Sequence, residues 1–414
     1  MKINKCRSCG CEKLKPIISL GNHYVSGFVD DEKNQGEKVP LSLVLCRNCK
    51  LLQMEYSAPP ESMWNDQYWY KSGINSIIKK DLRDIAEHAQ CLIELESGDF
   101  VIDIGNNDGT MFEYYNKDKD INLVGFEPCK NVAEESRAKG FNIINNFFNA
   151  DDFQQGNADK KAKIITAISM FYDVENPNEF LEDITKCLDE NGVFIIQQNY
   201  LVSMLEQVAF DNLCHEHREY YSLKTLNVLI ERHGLEIFDV ELNDINGGSI
   251  RTYIKFKGNK NFAINGAKMD KIIEKENVMK LDTLEPYLKF AEKIEDCKLD
   301  IMNFLDEAKE NNKTVGLCGA STRGNTILQY FNITPNLVIG ASEANPDKHG
   351  KKTIGTLIPI MSIDEMKALK PDYQLVIIWH LFEGIQGKEK DFLKEGGKFV
   401  LPLPKFRIVK DENI

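Results

Sequence analysis

"FVIDIGNNDGTMFEYY", residues 100–115, is the stretch that decides the fold of the centre of the chain. Residues 100–104 have the apolar character of a strand buried in a parallel sheet. The following "GNNDGT" is rich in residues that tolerate positive φ, so it predicts a turn, and a helix is expected after it. Further on, "INLVGFEP" (121–128) predicts a second strand that ends at Glu127. Strand, small-residue turn, helix, strand and acid form the arrangement that binds an adenosyl group, with the acid accepting hydrogen bonds from the ribose.

The charge of this turn favours one adenosyl cofactor over another. A nicotinamide fold expects G-x-G-x-x-G and a helix N-terminus that faces a pyrophosphate. Here Asp103 precedes the turn and Asp108 lies within it, and both would repel a pyrophosphate. S-adenosylmethionine (SAM) has no phosphate and carries a positive sulfonium and a positive ammonium group, so we predict SAM. A nicotinamide, or an ordinary βαβ unit without a ligand, stays an open alternative.

Composition limits the classes of function. The 414 residues exceed what one core usually serves, so two or three domains are expected. With 64 acidic and 51 basic residues the net charge is −13, which argues against nucleic acid as a partner. No apolar run approaches the ~18 residues of a membrane helix, and "MKINKCRSCG" does not have the pattern of a signal peptide. We expect a cytoplasmic protein with no membrane partner and with mostly reduced cysteines.

Two pairs of cysteines predict a metal site near the N-terminus. "CRSC" contains Cys6 and Cys9, and "CRNC" contains Cys46 and Cys49. Two CxxC pairs separated by a short insert can complete a tetrahedral thiolate site for zinc. Such a site has no open position, so its zinc would be structural. Cys11 is a possible competing ligand, and reduced cysteines without metal are the alternative.

Two further strands extend the predicted sheet. Residues 164–176, "ITAISMFYDVENP", predict a third strand with a loop, and residues 192–200, "GVFIIQQNY", predict another. These strands are expected to place Phe171, Tyr172 and Gln198 near the cofactor face of the sheet.

The C-terminal third repeats the strand, turn and helix theme. Residues from about 258 to 312 are rich in lysine and glutamate with helical apolar spacing, which predicts a connecting helix or pair of helices. Val315–Cys318 then predicts a strand, and the glycine turn after it carries Arg323 at a helix start, which suits a phosphate or pyrophosphate. Arg251 in "GGSIR" could bind the same phosphate or pyrophosphate group. Alternatively, these arginines and glycines serve only folding and packing.

The run "DNLCHEHREYYS", residues 211–222, concentrates titratable groups. His215 and His217 are two apart, so on a strand they would point the same way and could bind a metal. Alternatively, the loop is structural and its histidines form local hydrogen bonds. Cys214 could be a nucleophile, but nothing marks a partner for it.

Several motifs in this order resemble one family, the sugar C-methyltransferases of deoxysugar pathways, which act on nucleotide-linked 4-keto-6-deoxyhexoses. The motifs are the two CxxC pairs, "YWYKSG", "DIGNNDGT", "GFEP", "CHEHREYYS", "NDINGGSIR", "GASTRGNT" and "PDKHGKKTIGTLIPI". The resemblance implies an α/β protein with three domains. These are a zinc module (1–66), a Rossmann-like class I methyltransferase domain (67–257), and a helical connector with a Rossmann-like α/β domain that binds the sugar nucleotide (258–414).

The resemblance also implies catalytic roles. The family pattern in the loop is Tyr-x-Glu-His, and Glu216 and His217 match it, whereas Cys214 occupies the tyrosine position. Tyr172 occupies the position of a further family histidine. Methylation at carbon needs an enolate, so we predict that His217 removes the proton beside the ketone, with Glu216 orienting it. Tyr172 or His215 is the predicted donor to the enolate oxygen.

Binding residues follow from the same motifs. The predicted SAM contacts are Tyr70, Ser72, Asp103, Gly105, Asn107, Gly109, Glu127, Pro128 and Phe171. The predicted contacts of the nucleotide sugar are Gln198, Tyr221, Arg251, Ser321, Arg323 and Asn325. Two other functions stay open, namely a SAM-dependent O- or N-methyltransferase and an RNA-binding protein with a zinc module. The sugar, the nucleotide, the attacked carbon and the oligomeric state do not follow from the sequence.

Overall fold

A seven-stranded sheet forms the centre of the protein in the computed structural model, which describes residues 1–25, 27–66, 68–116 and 118–411. Residues 100–104 pair in parallel with a strand on each side, as expected for a strand at the middle of an α/β sheet. The last two strands of this sheet in chain order form an antiparallel hairpin at one edge. In spatial order the strands are Leu235–Asn243, Ser249–Phe256, Leu188–Asn199, Ala162–Ile168, Phe100–Ile104, Asn122–Phe126 and Asn142–Ile144.

The element after the glycine turn differs from the prediction. Instead of an α-helix, the chain forms one turn of 3₁₀ helix at Met111–Tyr114. Phe112 and Tyr115 are both buried, and the Phe112 ring packs 5.4 Å from that of Phe141, so tertiary packing fixes this segment as a short turn before the chain re-enters the sheet at Asn122. The helix that faces this side of the sheet is Ser76–Leu92, whose N-terminal amide at Ile77 is capped by the Asn75 side chain.

The N-terminal module is built on a four-stranded antiparallel sheet. Its fourth strand comes from the histidine-containing loop, so the central part of the chain completes the module's sheet. A two-stranded sheet also joins the module to the C-terminal part of the chain, at Phe28–Val29 and Lys352–Thr353. In spatial order the four strands are Leu14–Tyr24, Lys38–Cys46, Leu52–Met54 and Glu219–Tyr220.

The C-terminal part contains a second, mainly parallel sheet of six strands. Two helices connect it to the centre, Gly266–Val278 and Glu285–Glu310, in agreement with the predicted helical connector. In spatial order the strands are Ile360–Ser362, Ala341–Glu343, Val315–Cys318, Tyr373–Val376, Lys398–Leu401 and Arg407–Val409. The two mainly parallel sheets and the N-terminal cysteine module confirm the predicted α/β architecture. The domain boundaries at 66/67 and 257/258 stay predictions, and Gln67 lies outside the described residues.

Short helices link these sheets. Among the residues described, every helix is too short or too polar to span a bilayer. The other α-helices are Pro60–Met63, Lys130–Ala138, Ala150–Gly156, Pro177–Cys187, Leu201–Glu206, Leu223–Arg232, Thr322–Phe331, Ile363–Ala368, Phe382–Lys388 and Lys390–Lys394. The other 3₁₀ turns are Glu32–Asn34, Ser72–Ile74, Phe171–Asp173, Phe210–Asn212, Ile245–Gly247, Pro346–Lys348 and Trp379–Leu381.

Candidate active site

The four predicted cysteine ligands come together in the N-terminal module. Their sulfur atoms all lie within 4.8 Å of one another. The Cys6–Cys49 and Cys9–Cys46 sulfur pairs are 3.5 and 3.6 Å apart. In a tetrahedral site with Zn–S bonds of about 2.3 Å, the sulfur atoms lie about 3.8 Å from one another. The observed sulfur–sulfur distances therefore fit zinc. Cys11 lies outside the cluster, and its sulfur instead accepts the backbone N–H of Lys13.

A cavity of about 320 Å³ opens where three parallel strands of the central sheet end. The terminal residues Ile104, Phe126 and Ile168 of these strands form its floor. In open α/β sheets, ligands bind at this edge, beyond the carboxyl ends of the strands. Of the nine predicted SAM contacts, six line the cavity, namely Tyr70, Ser72, Gly105, Asn107, Glu127 and Pro128.

The glycine turn is shaped by its backbone and by Asn107. Gly105 has φ of +72°, and a Cβ atom there would lie 3.1 Å from Cγ of Met170, so this position requires glycine. Asn107 also has positive φ, +56°. Its side chain accepts from the backbone N–H of Ser72 at 2.9 Å and donates to the carbonyl of Tyr70 at 3.1 Å. Asn107 thereby attaches the segment before the first long helix to the turn.

Glu127 occupies the end of the second strand, as the sequence predicts. Its carboxylate accepts hydrogen bonds from the backbone N–H groups of Asn107 at 2.9 Å and of Cys129 at 2.8 Å. Burial raises the pKa of Glu127, and these two donors act in the opposite direction. The side chain therefore organises both loops that border the cavity.

Three predicted SAM contacts lie behind the cavity wall. Asp103 accepts hydrogen bonds from Thr166 at 2.7 Å and from Asn106 at 2.9 Å, so both of its oxygens are used within the protein. Burial raises the pKa of Asp103 to about 7. Gly109 packs tightly, because a Cβ atom there would lie 2.3 Å from the Ser136 hydroxyl.

The third of these residues, Phe171, is fully buried. Its ring lies 5.5 Å from the rings of both Phe180 and Tyr221. Phe171 therefore supports the loop that follows the third strand, and it does not line the cavity.

His217 lies where the histidine-containing loop meets the loop after the third strand. Its Nδ1 is 3.1 Å from the carbonyl oxygen of Asn212, and its ring contacts that of Tyr172 at a centroid distance of 4.4 Å. Since a carbonyl can only accept, Nδ1 carries the proton and Nε2 carries the lone pair. Burial, and then the positive charge of Arg323, lower the pKa of His217 to about 3, so the imidazole is neutral at pH 7.

The neighbours of His217 in the loop have different environments. His215 is buried, and its Nε2 is 3.0 Å from the Val39 carbonyl of the N-terminal module. This hydrogen bond joins the loop to the module. Glu216 is also buried, and its charge raises the pKa of Asp173 and of Cys214, although burial is the larger cause at both. The Asn212 carbonyl orients the His217 ring through Nδ1, and the orienting role of Glu216 stays a prediction.

Two arginines that the sequence assigns to a diphosphate are bound within the protein. Arg251 forms ion pairs with Asp81 at 2.9 Å and Asp84 at 2.7 Å beside the central sheet. Arg323 forms an ion pair with Asp211 at 2.7 Å and donates to the carbonyl of Asn246 at 2.9 Å. Each guanidinium is thus paired with one buried carboxylate, Asp81 or Asp211, and would bind a phosphate through these donors only by breaking that pair.

The other four predicted substrate contacts divide into two groups. Ser321 caps its helix, accepting the N–H of Gly324 at 2.9 Å. By contrast, Gln198, Tyr221 and Asn325 each have a buried side-chain polar atom that has no hydrogen-bond partner among the described residues. A bound ligand or water normally satisfies such atoms.

Known proteins share this organisation. Family models match a zinc binding domain at residues 6–64, a methyltransferase domain at 76–240 and a C-methyltransferase C-terminal domain at 244–404. The chain is 28% identical over 415 residues to the C-methyltransferase NovU of Streptomyces niveus, covering 99% of this chain and 98% of that protein. The chain is thus similar to a C-methyltransferase over nearly its whole length. It is therefore a SAM-dependent enzyme with a zinc module.

Solved methyltransferase structures resemble part of this C-methyltransferase. The plantazolicin methyltransferase BamL, in complex with a triazolic desmethylPZN analog and SAH, is 17% identical with a TM-score of 0.36. The match covers 44% of this chain and 87% of that chain. A SAM-dependent methyltransferase from Clostridium acetobutylicum is 14% identical with a TM-score of 0.34, covering 44% of this chain and 92% of that one.

Several cavity residues of the C-methyltransferase were not predicted from its sequence. Asp173 lines the cavity, its Oδ1 is buried without a partner among the described residues, and burial raises its pKa well above the usual value. Phe147 and Trp64 form an aromatic pair at 5.9 Å on the same wall. Arg218 also lines the cavity. A local signal existed for Asp173, because it directly follows Phe171 and Tyr172, two residues that the sequence analysis assigns to the site.

Buried histidines make the stability of this C-methyltransferase depend on pH. Burial lowers the pKa of His23 and of His215 to about 4, whereas an unfolded histidine titrates near 6.5. The unfolded state therefore takes up protons first as the pH falls. This stabilisation is present above pH 6.5 and is lost toward pH 4, by roughly 3 kcal/mol per histidine. The free energy of unfolding, measured with urea, is expected to fall between pH 7 and pH 4.5. In His215→Gln it is expected to fall by less than in the parent enzyme. An equal loss in the variant would contradict this assignment.

Proposed function

We propose that this enzyme methylates a carbon beside the ketone of a nucleotide-diphosphate-linked 4-keto-6-deoxysugar, through an enolate formed by His217. The observation that carries the proposal is the neutral, oriented imidazole on the loop beside the proposed SAM cavity. Nδ1 of His217 faces the Asn212 carbonyl at 3.1 Å, which leaves the basic Nε2 for the substrate. NovU, the similar protein from Streptomyces niveus, is a C-methyltransferase, and the reaction class of this enzyme agrees with a carbon acceptor.

An enolate needs more than a base. A proton beside a ketone lies about a dozen pKa units above an ordinary imidazole, which is about 16 kcal/mol. The lowered pKa of His217 in the free enzyme makes this difference larger. Donors to the developing oxyanion must supply much of this difference. Tyr172 suits this role, since its ring contacts His217 and burial raises its pKa, so its hydroxyl stays protonated. His215 suits it less, because its ring is bound to Val39 in the N-terminal module.

The sugar would occupy the side of His217 that faces the C-terminal part of the chain. Gln198 and Asn325 have buried polar atoms that hydroxyl groups of a sugar would satisfy. Tyr221 stays a predicted sugar contact, although its hydroxyl is influenced by the charges of Glu219, Cys6 and Arg7 on the side of the N-terminal module. The backbone around Ser321 and Arg323 stays a proposed diphosphate site, although the Arg323 side chain pairs with Asp211. Binding the distant nucleotide would place the reacting carbon next to the base.

The cavity residues would hold SAM, which supplies an electrophilic methyl group. Glu127 would accept hydrogen bonds from the ribose, while the backbone of Gly105 and Asn107 would approach the methionine part. Asn146 and Phe147 on the opposite wall would contact the adenine. The aromatic wall excludes water from the cavity.

Glu127→Gln is expected to weaken binding of S-adenosylhomocysteine by about 10-fold or more, measured by titration calorimetry. The substitution keeps the shape of the side chain but removes the charge and turns one oxygen into a donor. Hydrogen bonds to a charged group contribute about 1.5–3 kcal/mol, which corresponds to roughly 10- to 150-fold in affinity. The matched control is Glu134→Gln in the helix after the same strand, whose side chain is 60% exposed. If Glu127→Gln binds S-adenosylhomocysteine with unchanged affinity, Glu127 does not accept the proposed hydrogen bonds from the ribose.

The test of the reaction is incubation with nucleotide-linked 4-keto-6-deoxysugars in deuterated water, followed by NMR and mass spectrometry. We expect deuterium beside the ketone and, with SAM, a new methyl group on that carbon. A methyl group on oxygen or nitrogen, without deuterium incorporation, would replace the proposal by an O- or N-methyltransferase.

A further inference from the structure

Arg7 lies in the zinc knuckle, between Cys6 and Cys9, and its side chain points away from the metal site. The side chain is only 3% exposed, although it carries a charge. It donates to the carbonyl of Met54 at 2.7 Å and to the hydroxyl of Ser57 at 2.8 Å. The position of this guanidinium therefore depends on the conformation of the knuckle.

The same guanidinium reaches a residue of the proposed SAM cavity. Nε of Arg7 lies 3.3 Å from Oε1 of Glu175, and Oε2 of Glu175 lies 3.0 Å from Nε of Arg218. Arg218 in turn donates to the backbone carbonyl of Asp173 at 2.9 Å. Glu175, Arg218 and Asp173 all line the cavity. One chain of ion pairs and hydrogen bonds thus extends from the zinc knuckle to the cavity wall.

A second path joins the same two places through Gln53. Its Nε2 lies 3.1 Å from the sulfur of Cys6, and its Oε1 accepts the backbone N–H of Arg7 at 3.1 Å. Gln53 is fully buried and pairs in the sheet with Glu219, one residue after Arg218. The buried carboxylate of Glu219 lies 3.7 Å from Arg7. The zinc ligand, the arginine and the histidine-containing loop therefore share one buried polar network.

Such a network has a strict requirement on geometry. Buried charges are stable only while they are paired, so a displacement of Arg7 would remove one of the two guanidinium groups near Glu219 and would leave Glu175 held by Arg218 and Ser57 alone. When both Cys6 and Cys9 bind one metal ion, they fix the two ends of the Arg7 segment. Without that constraint the knuckle gains conformational freedom, and the pairing is lost with it.

We propose that Arg7 is a positioning residue that couples the zinc site to the SAM cavity, so that zinc and SAM each strengthen the binding of the other. The inference rests on the proposed location of SAM in this cavity, and it does not depend on the identity of the sugar. Coupling between two ligands is reciprocal, so the two affinities change by the same factor. A coupling of about 10-fold or more is expected, within the usual range for linked sites.

The test compares four zinc-loaded proteins, namely the parent enzyme, Arg7→Met, Glu175→Gln and Arg232→Met. Arg7→Met removes the link at the knuckle, whereas Glu175→Gln weakens it at the cavity and changes a side chain that is 48% exposed. Arg232 is the matched control, because it donates to the carbonyl of Ser8 in the same knuckle without lining the cavity. Binding of S-adenosylhomocysteine is measured by calorimetry, and zinc release is measured with a chelating dye, with and without S-adenosylhomocysteine.

The expected result has two parts. Arg7→Met and Glu175→Gln retain one zinc per chain and bind S-adenosylhomocysteine about 10-fold more weakly, while Arg232→Met binds it like the parent. S-adenosylhomocysteine slows zinc release from the parent but not from Arg7→Met, an effect that general destabilisation would not produce. If Arg7→Met does not fold, zinc release from Glu175→Gln with and without S-adenosylhomocysteine decides, because Glu175 lines the cavity and its substitution can also weaken binding directly.

Other results would overturn the inference. These are parental affinity in Arg7→Met or Glu175→Gln, equal weakening in Arg232→Met, or zinc release from the parent that S-adenosylhomocysteine does not change. Because no sugar enters this experiment, a failure to methylate ketosugars leaves its outcome unaffected. An absence of any effect of Glu127→Gln would instead count against the proposed hydrogen bonds to the ribose, and not against the coupling through Arg7.

Discussion

His217→Ala is expected to lower both deuterium exchange beside the ketone and methyl transfer by about 10³-fold. A positioned general base contributes roughly 10²- to 10⁴-fold, and Tyr172 would remain to hold the enolate oxygen. Binding of S-adenosylhomocysteine is expected to change by less than about threefold, because His217 does not line the proposed SAM cavity. Exchange is followed by NMR of the ketosugar without SAM, and transfer by mass spectrometry.

The control for this variant is His233→Gln. The His233 ring lies 3.2 Å from Oδ1 of Asn178 and is outside the histidine-containing loop, so both rates should stay near those of the parent. Since the pKa of His217 is about 3 in the free enzyme, kcat/KM for exchange should show no loss near pH 6.5 that is due to this residue. Exchange at the parental rate in His217→Ala would assign the base to another group.

Cys46→Ser is expected to abolish stoichiometric zinc binding and to lower the melting temperature by about 10 °C or more. Cys46 is fully buried at the end of strand Lys38–Cys46, so loss of the metal would release the core of the module. Structural zinc contributes apparent free energies of about 10–16 kcal/mol in small domains, and each 1 kcal/mol shifts the melting temperature by about 2–4 °C in domains of 150–250 residues. Calorimetric melting and zinc analysis measure the two effects.

Cys11→Ser provides the matched control for zinc. Cys11 is two residues from Cys9, but its sulfur is outside the cluster of four, so this variant should keep one zinc per chain and the parental melting temperature. Equal loss of zinc in both variants would contradict the proposed ligand set. The strand Glu219–Tyr220 pairs with the module's sheet, so Cys46→Ser is also expected to disturb the histidine-containing loop.

Features that depend on local spacing could be predicted from the sequence. Each CxxC pair forms its knuckle within a few residues, so the cluster of four cysteines could be predicted from the spacing of the cysteines in the sequence. The strand, glycine turn and acid from residue 100 to Glu127 were also predicted, since periodicity and turn residues act over short distances. The helix predicted after that turn was wrong, because the packing of Phe112 against Phe141, which is distant in the chain, favours a single 3₁₀ turn there.

The sequence by itself determined the α/β architecture, the zinc ligands and the cofactor class, because these depend on local patterns of apolar, small and cysteine residues. Only the tertiary structure decided what each charged side chain does. Arg251 and Arg323 read as phosphate ligands in the sequence, yet carboxylates distant in the chain, Asp81 and Asp211, pair with them. His215 and His217 look equivalent in the sequence, yet one is bound to the N-terminal module and the other lies against Tyr172. Electrostatic and hydrogen-bond partners are chosen by proximity in space, which no local pattern records.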